Sequence, residues 1–258
     1  MGRSIEGERC RNLGHSLATR ILLCGRLRVE VDGHRAEQSL PGRQGRLLFA
    51  YLVLERRRAI RRDELVDSLW DDDLPGAPDA ALSALLSKLR RLLPLEGRSE
   101  LRVILPADAW IDVEAVGEAL HRAEGAVTRG DWTAAWGPAR VAQHIAARGL
   151  LQGEEARWLE EPRRRLRNAY ERALELAAQA CLGIGGGELN TAERTAKALV
   201  ELAPYRESGY RFLMETLDRR GNRAEALRVY DELRQLLRDE LGTAPSPATQ
   251  ELHRSLLG

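Results

Sequence analysis

The 258-residue chain reads as a mainly α fold with a small β component: a winged helix-turn-helix followed by a tetratricopeptide-like (TPR-like) α-helical repeat. Three observations predict it. The first hundred or so residues run strand, three helices, strand, with the second and third helices joined by a loop. From Ile111 onward the apolar spacing is helical throughout. Near the end, Ala192, Ala196, Leu199 and Leu202 recur 34 positions later as Ala226, Tyr230, Leu233 and Leu236, with Pro204 at the closing-proline offset of a TPR unit. The expected division is a disordered polar tail over 1–19, a DNA-binding unit over 20–112 and a helical unit over 113–258.

Each element has its own warrant. Ile21 to Val31 alternates apolar and charged residues, which predicts a half-buried strand closed by the Asp32-Gly33 turn. A short second strand reaches toward Leu40, and Pro41-Gly42 breaks the chain. A helix from Arg43 carries Leu47, Leu48, Tyr51 and Leu54 inward. The basic connector Arg56–Arg62 leads to a second helix that buries Leu65, Val66, Leu69 and Trp70; it lacks a Ser/Thr cap but opens with Asp63 and Glu64, which suit the positive helix end. Asp71–Pro78 is a loop. A third helix over 79–93 follows, then a strand over Leu101–Leu105. Beyond Ile111, helices are expected on both sides of Gly130–Trp136, over 154–181 with Pro162 bending or breaking it, and over 189–202, 206–219, 222–240 and 247–257.

The third helix raises the functional question. Leu82, Leu85, Leu86, Leu89, Leu92 and Leu93 form one stripe that must be buried. Its other side carries Ala80, Ser83, Ala84, Ser87, Lys88, Arg90 and Arg91, small or basic and never acidic. Small residues let a helix backbone approach base edges, Lys88 and Arg91 can reach bases, and Arg90 a phosphate. Fifteen helical residues span about 22 Å, enough to fill a groove. Arg61 and Arg62, before the second helix, can clamp a phosphate, and Arg98 and Arg102, flanking the last strand, can track a minor groove as a wing. Asp71, Asp72 and Asp73 cannot lie on a phosphate backbone; they are expected to cap and solvate the loop or to contact a basic surface of the transcription machinery.

Composition narrows the classes. Net charge is +1, with 19 Lys+Arg against 16 Asp+Glu in residues 1–110, so position matters more than the sum. Cys10, Cys24 and Cys181 are odd in number and lack CxxC spacing, which gives neither a disulfide framework nor a zinc site. No 18-residue apolar run spans a membrane. His15, His34, His121, His144 and His253 show no metal spacing, no GxSxG or paired-carboxylate setting stands out, and Gly183–Gly187 follows a helix and lacks a GKS/GKT ending. The expectation is a non-enzyme without cofactor or metal, cytoplasmic. Trp158, Tyr205, Tyr210, Phe212 and Tyr230 are expected mainly in the core.

Three stretches carry a family resemblance. LPGRQGRLLFAYLVLERRRAIRRDELVDSLWDDDLPGAPDAALSALLSKLRRLLP (40–94) resembles the OmpR-type winged helix of SARP-type regulators. RLRNAYERALELAAQACL (165–182) and the segment 215–257, with its GNRAEALRVYDELRQLLRDELGTAPSP signature, resemble the opening and end of the bacterial transcriptional activation domain. The resemblance implies a DNA-binding activator that binds direct repeats in promoters, often as tandem protomers, and recruits RNA polymerase holoenzyme partly through the acidic-loop region. By position, Lys88 matches the family's base-contacting residue, Arg90 its phosphate contact, and Ser83 and Ser87 groove-facing positions. Three departures stand out: Leu85 where the family often has a polar groove residue, Arg61 where it usually has a Ser/Thr cap, and no glycine-tyrosine ending to the wing. With no ATPase or receiver segment following, a small stand-alone regulator is expected. The competing reading is a TPR-type protein-interaction module whose winged helix is structural and does not bind DNA.

Overall fold

The computed structural model describes residues 19–258 except Asp32 and Asp72. The expected tail up to Ala18, the first residue of the Asp32-Gly33 turn and the middle acid of the loop therefore lie outside the described residues. In chain order the elements are β1 (Arg20–Leu22), β2 (Arg28–Val31), β3 (His34–Arg35), α1 (Gly42–Leu54), β4 (Ile60–Arg61), α2 (Arg62–Trp70), α3 (Pro78–Leu89), β5 (Leu95–Glu96), β6 (Glu100–Val103) and β7 (Trp110–Ile111). Then come α4 (Asp112–Thr128), α5 (Trp132–Ala146), α6 (Glu160–Ile184), α7 (Leu189–Leu202), α8 (Glu207–Arg219), α9 (Arg223–Leu241) and α10 (Pro247–Leu257). The chain is mainly helical with two small sheets, of order β3-β2-β1-β7 and β4-β6-β5.

Several expectations need correction. The single strand expected over Ile21–Val31 is a hairpin: Gly25, at φ +86°, turns the chain and sets Ile21 opposite Val29. The next strand stops at Arg35, and Glu37–Ser39 is a 3-10 turn. Helix α3 ends at Leu89, not Leu93. Past it the chain tightens, with the Arg91 N–H on the Lys88 carbonyl at 3.2 Å and the Leu92 N–H on the Leu89 carbonyl at 2.9 Å, because Leu93 precedes Pro94 and disfavours a further helical turn. The strand expected over Leu101–Leu105 spans Glu100–Val103 and pairs with β5. Helix α6 starts at Glu160, so Pro162 falls in its first turn, where a missing N–H costs nothing and no break follows. The glycine run closes that helix at Gly185, φ +72°; within it, a Cβ on Gly183 would sit 2.3 Å from the Trp132 ring.

Helix α5 begins at Trp132, inside the Gly130–Trp136 stretch expected between two helices, because the Asp131 carboxylate caps it by accepting from the Ala134 N–H; the other helices fall where the periodicity puts them, each packing on the next along the chain from α4 to α9. Of the eight repeated positions, Leu202 and Leu236 are half-buried and the other six buried. A C-terminal core gathers Ala196, Tyr210, Met214, Leu217, Tyr230 and Leu233, and Tyr230 stacks on His253 at 3.8 Å. Phe212 is half-buried against that core, Trp158 packs edge-on against Tyr51 at 5.0 Å, and Tyr205 is exposed.

The largest core ignores position 112. Ile21, Leu48, Phe49, Leu65, Leu82, Leu86 and Leu101 share it with Ile145, Leu150, Leu159 and Leu166. The backbone sews the same seam: the Gly25 N–H donates to the Gly149 carbonyl (2.7 Å), the Leu151 N–H to the Leu23 carbonyl (2.8 Å) and the Gln152 N–H to the Gly25 carbonyl (2.7 Å). Asp112, fully buried in the first turn of α4, accepts from the Leu23 N–H at 2.8 Å and the Cys24 N–H at 2.9 Å. Burial pushes its carboxyl above the ordinary range, and those N–H donors pull the other way.

Candidate nucleic-acid interface

Helix α3 buries Leu82, Leu86 and Leu89 completely or nearly so, and Leu85 is half-buried on the edge of that stripe. Ala80, Ser83, Ala84, Ser87 and Lys88 lie on the exposed side, as do Arg90 and Arg91 in the turn beyond. Neither the Lys88 nor the Arg91 side chain has an ion-pair or hydrogen-bond partner among the described residues. Twelve helical residues make a rod of about 18 Å, still of groove dimensions.

Two of the expected phosphate contacts are struts. The Arg62 Nη2 donates to Ser83 Oγ at 2.8 Å and to the Asp79 carbonyl at 3.3 Å, so the start of α2 holds the first turns of α3. The Arg90 Nη2 donates to the Gly97 carbonyl at 3.0 Å and ties the end of α3 to the β5–β6 hairpin. Arg62 and Arg90 nonetheless face no carboxylate among the described residues, so the bonds place their charge without cancelling it. Arg61 is exposed and sits 3.3 Å from Asp63, a solvated pair of small worth. Helix α2 has no side-chain cap, as its sequence predicted; instead the Arg62 N–H reaches the Ser99 carbonyl at 3.2 Å.

The β5–β6 hairpin is the feature sequence reasoning missed. Gly97 at its tip has φ +89°, and a Cβ there would overlap the Glu100 carbonyl oxygen at 1.7 Å, so no other residue makes this turn. The signal was a glycine between Leu95 and the alternating Leu101 and Val103. The hairpin forms without the glycine-tyrosine ending. Arg98 is exposed at its tip with no partner among the described residues, whereas Arg102 is exposed on β6 with its guanidinium on the Arg57 carbonyl. Arg57, not anticipated as part of the site, is exposed and faces no carboxylate among the described residues.

The turn before this unit is stiffened by a charge network. The Tyr51 hydroxyl donates to Glu64 Oε1 (2.6 Å), and Arg58 grips both Glu64 oxygens, one at 2.9 Å. The Arg58 fork holds the Glu64 carboxyl below the ordinary range despite partial burial. In the acidic loop Asp71 closes α2 at φ +44° and pairs with Arg157 at 3.3 Å, both exposed, while Asp73 is exposed with its N–H on the Trp70 carbonyl. The two acids edge a cleft of about 570 Å³ between α2 and residues 155–163. The buried thiols are inert in character: burial raises Cys24 strongly and brings Cys181 to about 11. Among the described residues no group of His, Cys, Asp and Glu could hold a metal, and no helix is long and apolar enough to cross a membrane.

Residues 111–257 match the bacterial transcriptional activator domain. The chain belongs to that family. Membership, together with the relatives, bears out the resemblance to SARP-type transcriptional regulators. The regulatory protein AfsR of Streptomyces coelicolor is 32% identical over 246 residues, 93% of this chain and 24% of its own length. The transcriptional regulatory protein EmbR of Mycobacterium tuberculosis is 26% identical over 91% of this chain and 62% of its own. The solved structure of M. tuberculosis EmbR in complex with a low affinity phosphopeptide superposes with a TM-score of 0.80 at 22% identity, covering 94% of this chain and 65% of that one. The activator-domain chain described here thus shares that fold and spans about a quarter of AfsR and under two thirds of EmbR.

Proposed function

We propose that the chain is a sequence-specific DNA-binding transcriptional activator. In this reading residues 20–112 act as a winged helix-turn-helix that lays α3 in the major groove at direct repeats, and residues 113–258 act as a TPR-like platform for partners. Lys88, Arg91, Ser83, Ala84 and Ser87 face the bases. Arg61, Arg62 and Arg90 face the backbone, and Arg98 and Arg102 follow the adjacent minor groove from the hairpin. Asp71, Asp72 and Asp73 face RNA polymerase holoenzyme, and protomers associate on tandem repeats.

One observation carries the reading. The outward side of α3 and its hairpin presents Arg57, Arg62, Lys88, Arg90, Arg91, Arg98 and Arg102 with no carboxylate within ion-pair reach among the described residues, over small side chains that let a backbone come close. A duplex supplies the missing negative charge. The relatives' names, regulatory protein AfsR and transcriptional regulatory protein EmbR, support it.

The test is a titration of the full chain with duplex carrying a short direct repeat at several salt concentrations. The expected outcome is log K falling linearly with log salt at about −0.9 per phosphate contacted, and tighter binding to the repeat than to scrambled duplex. Binding that ignores salt, or no binding, leaves the competing reading, a protein-interaction module with a structural winged helix.

A further inference from the structure

A second cationic site lies away from α3, on the seam between the sheet and the helices. A groove of about 290 Å³ is lined by Arg26, Arg28, Arg148 and Gln152 over Leu22 and Cys24. It shares Arg148 and Gln152 with an adjoining cleft of about 490 Å³, whose wall adds Gly149, Arg167, Tyr170, Leu166 and Leu202. Arg26, Arg28, Arg148 and Arg167 have no carboxylate partner among the described residues. Glu155, the one acid lining either cleft, is already held by Arg163 at 3.4 Å. Several other cations of the array are matched: Arg172 with Glu124 (2.8 Å), Arg206 with Glu171 (3.0 Å), Lys197 with Glu193 (2.7 Å). Gathering four like charges without a counter-charge raises a positive potential that draws an anion.

The floor of the groove is built firmly. Residues 149–153 carry Gly149, Leu151 and Gly153 at φ +67°, +46° and +85°. A leucine in the left-handed region persists only where its surroundings over-determine it, and the backbone bonds to Leu23 and Gly25 do so here.

We propose that the two clefts together bind a small polyphosphate carried on a flat apolar head, the chemistry of a nucleoside diphosphate. Guanidinium forks at Arg26, Arg28 and Arg148 match phosphate oxygens in pairs, and Tyr170 with Leu166 and Leu202 offers the surface on which a planar ring stacks. The site is concave and floored by buried Cys24, which suits a compact anion and not the convex backbone of a duplex. A ligand there touches both β2 and the end of α5, so it bridges the DNA-facing half and the array.

Calorimetric titration of the full chain with ADP and with inorganic pyrophosphate tests this. Saturable one-to-one binding of both is expected, with ADP the tighter. Arg148→Gln and the pair Arg26→Gln with Arg28→Gln weaken both at least tenfold; Tyr170→Leu brings ADP down to the affinity of pyrophosphate. Unfolding midpoints of the ligand-free variants, unchanged from the parent, show that the fold is intact. No saturable heat from either probe overturns the proposal. So do arginine variants that leave pyrophosphate affinity intact, or that lower duplex affinity and its salt slope as much as pyrophosphate binding, which makes the cluster a DNA-backbone contact.

Discussion

The N-terminal half has two charged sides, and they are built in opposite ways. On the side turned to the array, apart from Arg26 and Arg28 in the seam groove, arginines are answered: Arg46 by Glu154 at 2.6 Å, Arg43 by the same carboxylate at 3.8 Å, and Arg56 by both oxygens of Glu114 at 2.8 and 2.6 Å. On the side turned out, the cations of α3 and its hairpin meet backbone carbonyls, a serine or solvent. Both sides are rich in arginine, and the net charge of +1 hides the contrast. Pairing, not charge count, separates a cation that holds the fold from one left for a ligand.

Four substitutions break or sharpen that contrast. Asp112→Ala removes the acceptor of two buried backbone N–H groups, so stability falls by about 2–5 kcal/mol, at about 1–3 kcal/mol per orphaned group less the relief of the buried charge. Urea denaturation should show this as one transition for the whole chain, since the core is shared. Survival of the array after the sheet has melted would separate the two sides that the seam joins. Lys88→Ala should cost on the order of 1–3 kcal/mol of discrimination between repeat and scrambled duplex, with stability changed by less than about 0.5 kcal/mol. Unaltered site preference would take Lys88 out of the base-reading role. Arg56→Ala does the reverse: the pair is about 30% exposed on each side, so it is worth under about 1 kcal/mol of stability, and duplex affinity stays put.

The smallest effect is one of pH. The Glu64 carboxyl is held below its ordinary value, so its grip by Arg58 and Tyr51 stabilises the fold above the usual carboxylate range and is lost as pH falls through the lowered value. Glu64→Gln should flatten the acid limb of the stability curve slightly, read from denaturation midpoints between neutral pH and the acid range. An unchanged limb would show that solvent screens the network.

Much of this molecule was legible in its residues. In the leucine stripe of α3 and the turn beyond, Leu82, Leu86, Leu89 and Leu93 are buried as their spacing predicted while Leu85 and Leu92 are half-buried, and the helical apolar spacing put the last four helices within a residue or two of their places. What escaped was non-local. The two-residue strands β5 and β7 are too short for a period and exist because β6 and β1 lie beside them. Alternation through Ile21–Val31 concealed a hairpin, because a turn at Gly25 keeps apolar residues facing the core on both arms. The roles of Arg62 and Arg90 as struts depended on where Ser83 and Gly97 came to rest, which spacing along the chain does not record.

The sewn seam at Gly25 and Asp112 bears on anyone who would transplant the N-terminal half onto another protein. A cut after Ile111 takes Leu150, Leu159 and Leu166 out of the core that they share with Leu48, Phe49 and Leu82, and leaves the Leu23 and Cys24 amides without their Asp112 acceptor. The portable unit is a discontinuous object: the first hundred or so residues together with α4 and the stretch from Ile145 to Ala173, taken from the far side of the chain.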